Sequence, residues 1–333
     1  MNIQFKSLTL AAIVALASAN GLTAQTVGYL TANVTAGSIA TPSTTVFSIT
    51  FNDELPSGFV GQGTGTLTGV TSNTITNSSA AWTSGFVTAS TPYFVKLTSG
   101  SAVGRVFRVT SATSTTLTLT VGSLNLTTLG VTAGNTYQLF PAETLDTIFS
   151  TLAVSGNTTS ATSDNVLLFN GTTWNSYWFN SSVSQWRLGA IPTNQGTTVV
   201  SPETGLIYLR RGATSMSILS SGVVPSTSIP TEISNGATTF LGSLYPVDTT
   251  LNNTNIHTTP GWVSGTSATG TDKVLIWNGS SWNSYWRHST LNVWRLGAIP
   301  TAQNPTIVGG SPIIISKATP SAGSSTYTKA LGY

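Results

Sequence analysis

The chain has 333 residues, which is long enough for two domains with separate cores, and only 6% of its residues are charged. Its formal net charge is +3, from 12 lysines and arginines against 9 acidic residues, and charge this sparse excludes the basic surface that nucleic-acid binding requires. Cysteine is absent, which excludes disulfides, thiolate nucleophiles and cysteine-bound zinc, while a hydrophobic fraction of 39% predicts a folded chain.

The N-terminus is typical of an exported protein. Lys6 is followed by an apolar run at 8–17, which is too short to cross a bilayer in the mature protein, and then by small residues. Signal peptidase cleavage is predicted after Ala19 or Ala24, and the signal peptide is assigned to residues 1–24. No later stretch has the length and hydropathy of a transmembrane helix, so we expect a secreted or cell-surface protein.

Residues 25–142 are predicted to form an N-terminal β domain. Short runs such as Tyr93–Leu97 and Leu117–Val121 alternate apolar and other side chains, which is the period of a strand that buries one face. Glycine and Ser-Gly pairs separate these runs at intervals typical of a small barrel or sandwich. The predicted fold class is all-β, with a small N-terminal β-barrel or sandwich followed by a duplicated β-meander domain with short helices.

Two short helices are predicted after this domain. Residues 144–152 read TLDTIFSTL, in which apolar side chains recur at the spacing of one helical face behind a Thr144 cap. The apolar residues of 238–245, TTFLGSLY, match this spacing in register and predict a second helix.

Two Trp-rich segments carry nearly the same sequence, NGTTWNSYWFNSSVSQWRLGAIPT at 170–193 and NGSSWNSYWRHSTLNVWRLGAIPT at 278–301. Over the 30 positions that begin at Asp164 and at Asp272, 19 are identical. Because each segment follows one predicted helix, the sequence indicates an internal duplication with pseudo-two-fold symmetry. The predicted boundaries are 143–320 for the C-terminal β domain, 143–224 and 238–319 for its two repeats, and 321–333 for a C-terminal tail.

The first hairpin of each Trp-rich segment is predicted from its Asn-Gly pair. Asn170-Gly171 lies between two β-rich runs, and this dipeptide favours a two-residue turn because both positions adopt positive φ readily. Counting outwards from the turn pairs Leu167 with Trp174. A second turn at 180–184 returns the chain, so each copy is predicted to form a three-stranded meander.

The tryptophans allow two interpretations. In the first, Trp174, Trp186 and their counterparts Trp282 and Trp294 fill the core. In the second, Trp178 and Trp286 form an exposed platform for stacking sugars, assisted by cation–π contacts from neighbouring arginines. Those arginines would equally serve to cover a tryptophan ring. The candidate ligand-binding residues are Trp178, Trp186, Arg187, Trp286, Trp294 and Arg295.

The inventory of reactive side chains argues against catalysis. His257 and His288 are the only histidines, they stand at non-equivalent positions, and surface locations are predicted for both. Asp164 and Asp272 are equivalent carboxylates that a glycoside hydrolase would use as a pair. Each opens a strand, however, where aspartate commonly accepts backbone N–H groups in a turn. We therefore predict no enzyme, no cofactor and no metal.

Several stretches carry a resemblance to a known family: TVGYLTANV from Thr26, the block at 93–119, TYQLFPAETLDTIF from Thr136 and VLLFNGTTWNSYW from Val166. Together they resemble an uncharacterised family of secreted, β-rich proteins that occurs as multiple paralogues in verrucomicrobial bacteria. The resemblance implies export and a β-rich fold and supplies no active site. The second Trp-rich segment departs from the plain family pattern.

Three functional hypotheses follow from the sequence. The first is a non-catalytic structural, surface or matrix protein that assembles with itself as a homo-oligomer or filament, because few charges and many strand edges favour association. The alternative is a carbohydrate-binding module that uses the paired Trp segments on an extracellular glycan. A third is an outer-membrane β-barrel, indicated by the alternating C-terminal YTKALGY.

Overall fold

The computed structural model describes residues 27–51, 54–150, 152–236, 238–243, 246–319 and 322–329. The predicted signal peptide lies outside these residues, as do Leu244 and Tyr245 of the predicted second helix and the last four residues of the predicted tail. The described chain is all-β, as the sequence predicts.

The described elements are strands with one short α-helix and two 3₁₀ turns. In chain order they are β1 (Val27–Val34), β2 (Ser43–Ser48), β3 (Thr64–Thr66), β4 (Gly69–Val70), β5 (Thr74–Thr76), β6 (Tyr93–Leu97), β7 (Val106–Ala112), β8 (Thr116–Thr120), β9 (Thr136–Pro141), α1 (Leu145–Phe149), a 3₁₀ turn (Ser160–Thr162), β10 (Asn165–Phe169), β11 (Trp174–Asn180), β12 (Gln185–Leu188), β13 (Gly205–Arg210), β14 (Met216–Val223), β15 (Ile229–Ser234), β16 (Thr238–Leu241), β17 (Thr249–Thr250), a second 3₁₀ turn (Ile256–Thr258), β18 (Lys273–Trp277), β19 (Trp282–His288), β20 (Val293–Leu296), β21 (Thr306–Ile307), β22 (Ile313–Ser316) and β23 (Ser324–Lys329).

Two five-stranded antiparallel sheets repeat one topology. Their strand orders are β12-β11-β10-β13-β2 and β20-β19-β18-β22-β16. Each sheet is accompanied by a two-stranded ribbon, β1 with β14 in one case and β15 with β23 in the other. The duplicated module therefore consists of a first unit, made of 27–48 and 142–223, and a second unit, made of 229–329.

A seven-stranded sheet, here called the inserted sheet, lies between β2 and α1 in the sequence and so interrupts the first unit. Its strand order is β3-β9-β6-β7-β8-β5-β4, and its end strands are not paired with each other. Its own core contains Trp82, Phe107 and Tyr137. The inserted sheet therefore has the separate core that the composition predicts for an N-terminal domain.

The pairing revises two of the predicted boundaries and one predicted element. The predicted N-terminal domain at 25–142 starts with β1 and β2, which pair with β14 and β13 of the first unit. The predicted second helix is wrong, because residues 238–241 form β16, the counterpart of β2. The predicted tail contains β23, which pairs with β15. In each case a partner distant in sequence decides the structure.

The helix and the strand burial of the inserted sheet follow the local pattern more closely. Helix α1 begins where predicted, and Thr144 and Thr147 form a capping box in which each side chain bonds the backbone N–H of the other. In β8 the alternating Leu117 and Leu119 are buried, as predicted. In β6 all five residues are buried, because its second face is also covered. Phe94 stacks on Phe140 of the neighbouring β9 at 5.7 Å, and Ala142 and Val199 of the first unit pack against this pair.

The predicted hairpin register is wrong by two residues. Phe169, rather than Leu167, pairs with Trp174, so the loop has four residues instead of two. The Asn170 side chain lengthens it, because Asn170 Oδ1 accepts hydrogen bonds from the backbone N–H groups of Thr172 and Thr173 at 3.0 and 2.8 Å. The three-stranded meanders are nevertheless present in both units.

The two units meet with local two-fold symmetry. Ser48 N donates to Gly310 O at 2.8 Å, and Gly242 N, at the equivalent position of the second unit, donates to Glu203 O at 2.8 Å. The strands β2 and β16 thus each continue from their own sheet into the other unit. This reciprocity supports the pseudo-two-fold prediction and places the two Trp-rich hairpins side by side.

Each unit contains a buried ion pair just before its first meander strand. Asp164 pairs with Arg210, and Asp272 pairs with Lys317 at the equivalent place. Both carboxylates also accept backbone N–H groups, for example from Ser155, as the turn interpretation predicts. These aspartates are therefore structural anchors of the two units.

The inserted sheet is attached to the ribbon of the second unit. Arg105 donates from Nη1 to Glu232 Oε1 and from Nη2 to Thr326 Oγ1, both at 2.8 Å. The preceding Gly104 has a φ of +86°, and an added Cβ would lie 2.0 Å from Ser228 O. A glycine is therefore required for this close approach.

Candidate functional site

The core interpretation of the tryptophans holds for one pair and fails for the other. Trp186 and Trp294 are core residues, 2% and 0% exposed. Trp174, in contrast, is 37% exposed and its counterpart Trp282 is partly exposed. The accessible rings of the Trp-rich segments are therefore the ones that directly follow the Asn-Gly turns.

The predicted stacking platform is wrong, because its rings are not accessible. Trp178 and Trp286 are only 7% and 4% exposed. Each indole Nε1 donates a 2.8 Å hydrogen bond to a carbonyl of the turn after the next strand, Gly189 O in the first unit and Gly297 O in the second. Each ring is thereby held against its own meander.

Arg187 and Arg295 lie on the neighbouring strand, directly beside these buried rings. Arg187 pairs with Trp178 in register, and Arg295 with Trp286. The Arg295 Cζ lies 5.8 Å from the centroid of the Trp286 ring, which is a cation–π distance. In the second unit the arginine therefore covers the ring, as the covering interpretation of the arginines predicts.

Five aromatic rings form a continuous row across the junction of the two units. We call this row the aromatic strip. Consecutive ring centroids are separated by 5.2 Å from Phe169 to Trp174, 5.0 Å from Trp174 to Phe240, 6.1 Å from Phe240 to Trp282 and 5.4 Å from Trp282 to Trp277. The contacts are tilted or edge-to-face, which are the favourable geometries for aromatic pairs.

The Asn-Gly loops place four of the five rings. Asn278 Oδ1 accepts from Ser280 N and Ser281 N at 3.0 and 2.8 Å, so this loop has the same geometry as the loop at Asn170. Gly171 and Gly279 both have a φ of +99°, which favours glycine. Each loop therefore sets one aromatic residue before it directly opposite the tryptophan after it.

Phe240 joins the two halves of the strip. It lies on β16 of the second unit, is 1% exposed and contacts a tryptophan from each unit. Gly205 leaves room for it, because an added Cβ there would lie 2.8 Å from the Phe240 ring. Phe240 thus forms the floor of the strip, while the four outer rings remain partly exposed.

Polar side chains border the strip at both hairpin tips. Asn278 Nδ2 donates to Asn283 Oδ1 at 3.3 Å and to Ser281 Oγ at 3.1 Å, and Asn170 is exposed. Ser176 and Ser284 follow the outer tryptophans on the same sheet face. An exposed row of rings bordered by amides and hydroxyls suits a ligand with both apolar faces and hydroxyl groups.

The sequence carried a signal for most of this site. In both copies an aromatic residue precedes the Asn-Gly pair and a tryptophan follows it three residues after the glycine, as in FNGTTW and WNGSSW. A four-residue loop turns that spacing into a facing pair. Phe240 had no such signal, because its segment was predicted as a helix.

Both histidines lie deeper than predicted. His288 is 9% exposed and its ring stacks on Trp286 at 5.7 Å, and His257 is half-buried against Trp294. Across the described ranges, no group of three or more His, Asp or Glu side chains could hold a metal ion. None of the helices in the same ranges has the length and hydropathy to cross a membrane.

Two perturbed ionisable groups lie where the inserted sheet meets both units. Glu203 and Lys96 line a small cavity there. Burial raises the pKa of Glu203 to about 7, opposed by the nearby Arg105, and burial lowers the pKa of Lys96. Desolvation dominates both shifts, so they report a tightly packed junction.

Comparison of the chain with protein-family models, with curated proteins and with solved structures gives no match. The site is therefore defined by its geometry alone.

Proposed function

We propose that this protein acts outside the cell as a non-catalytic binding protein that recognises a glycan through the aromatic strip. The observation that carries the proposal is the continuous row of partly exposed rings across the two units. Sugar rings present flat apolar faces between their hydroxyl groups, and aromatic side chains provide large rigid surfaces for such faces at a small entropic cost. The apolar N-terminal run at 8–17 supports the extracellular location.

The form of the strip favours a chain of sugars over a single sugar. Each pair of neighbouring centroids is between 5.0 and 6.1 Å apart, so the four outer rings extend well beyond one sugar ring. The two halves are contributed by equivalent hairpins, and a polymer would engage both at once. Linking two weak contacts on one ligand raises its overall affinity.

The experiment measures glycan binding of the purified protein by tryptophan fluorescence and by co-sedimentation with insoluble polysaccharides. We expect Trp174→Ala and Trp282→Ala each to weaken binding by about tenfold or more, since each removes one ring from the exposed row. The double variant should not bind. Tyr29→Ala is the matched control, because it removes an exposed ring that lies outside the strip.

Two outcomes would remove the proposal. One is the absence of any fluorescence change across a broad panel of neutral and charged polysaccharides. The other is unchanged affinity of the double variant, provided that its circular dichroism and unfolding transition match those of the parent protein.

Self-assembly is a second candidate function, and one surface favours it. The outer face of the ribbon β1–β14 exposes Val27, Tyr29 and Leu219 by 63%, 53% and 64%. The equivalent ribbon of the second unit instead bonds the inserted sheet, through Glu232 and Arg105. An apolar face of this kind commonly marks an interaction site.

The assembly candidate is tested by sedimentation velocity over a wide range of protein concentration. We expect concentration-dependent association of the parent protein and a monomer for the Tyr29→Asp, Leu219→Asp double variant. A parent protein that stays monomeric at the highest concentration contradicts this candidate and leaves the glycan proposal intact.

A further inference from the structure

A second site is indicated in the core of the second unit, around Trp294. Three groups contact this ring: the His257 and Trp262 rings have centroids 6.0 and 5.8 Å from it, and the Arg287 Cζ lies 5.9 Å from it. Each of the four residues has a buried nitrogen without a hydrogen-bond partner among the described residues, namely His257 Nδ1, Trp262 Nε1, Arg287 Nε and Trp294 Nε1.

The first unit provides an internal comparison. There the equivalent ring is Trp186, and it is contacted by Phe149 at 5.2 Å and by Phe179 at 5.6 Å. Phe179 occupies the position of Arg287 in the duplicated sequence. An apolar surrounding in one copy is thus replaced by nitrogen-bearing side chains in the other.

The chemistry of the unpaired nitrogens defines what is missing. An indole N–H and a guanidinium can only donate hydrogen bonds, and a buried donor without an acceptor costs free energy. Arg287 forms no ion pair within the described ranges, whereas the Lys317 ammonium, 5.5 Å from the Trp262 ring, is already paired with Asp272. Among the described residues, the two indole N–H groups and the Arg287 Nε–H are therefore buried donors without an acceptor, and the Arg287 charge has no carboxylate partner.

We infer that the second unit binds one small anion of the size of chloride or formate among Trp262, Arg287 and Trp294, with His257 at its edge. The anion accepts hydrogen bonds from the two indoles and the guanidinium. It is small because Trp294 is 0% exposed, so that a ligand at this ring has to be enclosed by the protein. This site is separate from the aromatic strip and does not depend on the glycan proposal.

The inference is tested on the full mature protein by nuclear magnetic resonance of the indole N–H groups. Sodium chloride and sodium formate are titrated separately at constant ionic strength, balanced with sodium gluconate, whose anion is too bulky for the site. We expect saturable shifts of the Trp262 and Trp294 resonances with one or both small anions. The two titrations distinguish a halide site from a carboxylate site.

Arg287→Phe installs the side chain found in the first unit and should weaken anion binding by about tenfold or more. Arg108→Gln, which removes one charge from an exposed position, should leave it unchanged. If Arg287→Phe does not fold, Trp262→Phe removes one N–H and keeps a ring, and the Trp294 resonance should then report the weakened binding.

The inference is overturned if neither anion moves the two resonances, which would show that water alone occupies the site. It is equally overturned if the folded Arg287→Phe or Trp262→Phe variant binds the anion with the affinity of the parent protein.

Discussion

Replacement of Asp164 by alanine removes the acceptor at the centre of a buried hydrogen-bond network in the first unit. The carboxylate is 0% exposed and pairs with Arg210, which is 2% exposed. Its hydrogen-bond donors are Ser155 N at 2.8 Å, Tyr208 Oη at 2.7 Å, Arg210 Nη1 at 2.5 Å, Arg211 N at 2.5 Å and Gly212 N at 3.3 Å. One side chain thus joins three separate segments of the first unit.

The magnitude follows from the groups that lose their acceptor. Removing one partner of a buried ion pair costs about 3–5 kcal/mol, which already includes most of the cost of the donors left unpaired; the five donors around Asp164 place its loss towards the upper end. Arg210 keeps the carbonyls of Ala153 and Thr214 at 2.7 and 3.1 Å, which offsets part of this loss. We therefore expect Asp164→Ala to lower the free energy of unfolding by about 4–6 kcal/mol.

Asp272→Ala provides the comparison within the same chain. Asp272 accepts from Val263 N and Ala318 N at 2.9 and 2.8 Å and from Lys317. It has fewer donors than Asp164, and Lys317 retains a 2.8 Å bond to Gly261 O. The expected loss is about 2–4 kcal/mol.

Urea unfolding followed by tryptophan fluorescence measures both losses, with Glu54→Gln as a control at an exposed carboxylate. A loss below about 1 kcal/mol for Asp164→Ala would refute the reasoning, because that is the value of an ordinary surface pair. A larger loss for Asp272→Ala than for Asp164→Ala would refute the ranking by donor number.

Two further predictions concern the junction with the inserted sheet. Because burial raises the pKa of Glu203 from 4.5 to about 7, the folded state holds a proton that the unfolded state releases, and stability falls as the pH rises from about 4.5 to 7. Glu203→Gln should therefore be more stable than the parent protein by about 2 kcal/mol at pH 8 and equally stable near pH 4.5. Urea unfolding at the two pH values measures this difference, and identical unfolding curves at pH 8 would contradict the prediction. Gly104→Ala places a Cβ 2.0 Å from Ser228 O and should lower the free energy of unfolding by more than about 2 kcal/mol. Gly122 also has a positive φ, +59°, but an added Cβ there meets open space, so Gly122→Ala should lower the free energy of unfolding by only about 1 kcal/mol. Equal losses for the two variants would contradict the close approach at Gly104.

Features decided by neighbouring residues could be predicted from the sequence. The capping box of Thr144, the alternation of Leu117 and Leu119 and the three-stranded meanders depend on contacts within a few turns of chain, and they lie where predicted. The core positions of Trp186 and Trp294 also followed from the duplication. Local pattern and internal repetition were sufficient for these.

Features decided by distant partners could not be predicted. Residues 238–241 have apolar spacing that fits a helix, but they form β16 because β22 offers a strand edge. The equivalence of β16 with β2 rests on a few residues separated by the whole inserted sheet, which is too short a repeat to recognise. The second buried face of β6 likewise depends on packing against the first unit.

The prediction of which tryptophan rings are exposed was wrong for a different reason. Period-two alternation placed Trp174 and Trp178 correctly on one face of β11, but it does not say how much of that face is covered. The turn carbonyl at Gly189 binds the Trp178 indole and buries it, whereas the hairpin tip leaves Trp174 open. Exposure along one face is therefore set by position relative to the turns.

The duplication separates two kinds of surface, and this separation bears on both proposals. Where the local two-fold brings equivalent residues together, as at Trp174 and Trp282 on either side of Phe240, the copies have kept the same rings and share one ligand surface. Beside the buried Trp186 and Trp294, in contrast, the partly exposed neighbours have diverged, as from Phe179 to Arg287. A shared surface predicts similar losses from either tryptophan variant, because each removes an equivalent half. This divergence predicts that the anion affects the second unit alone. Chloride should therefore raise the unfolding midpoint of the parent protein. It should not raise that of Arg287→Phe, in which both units carry phenylalanine at this position.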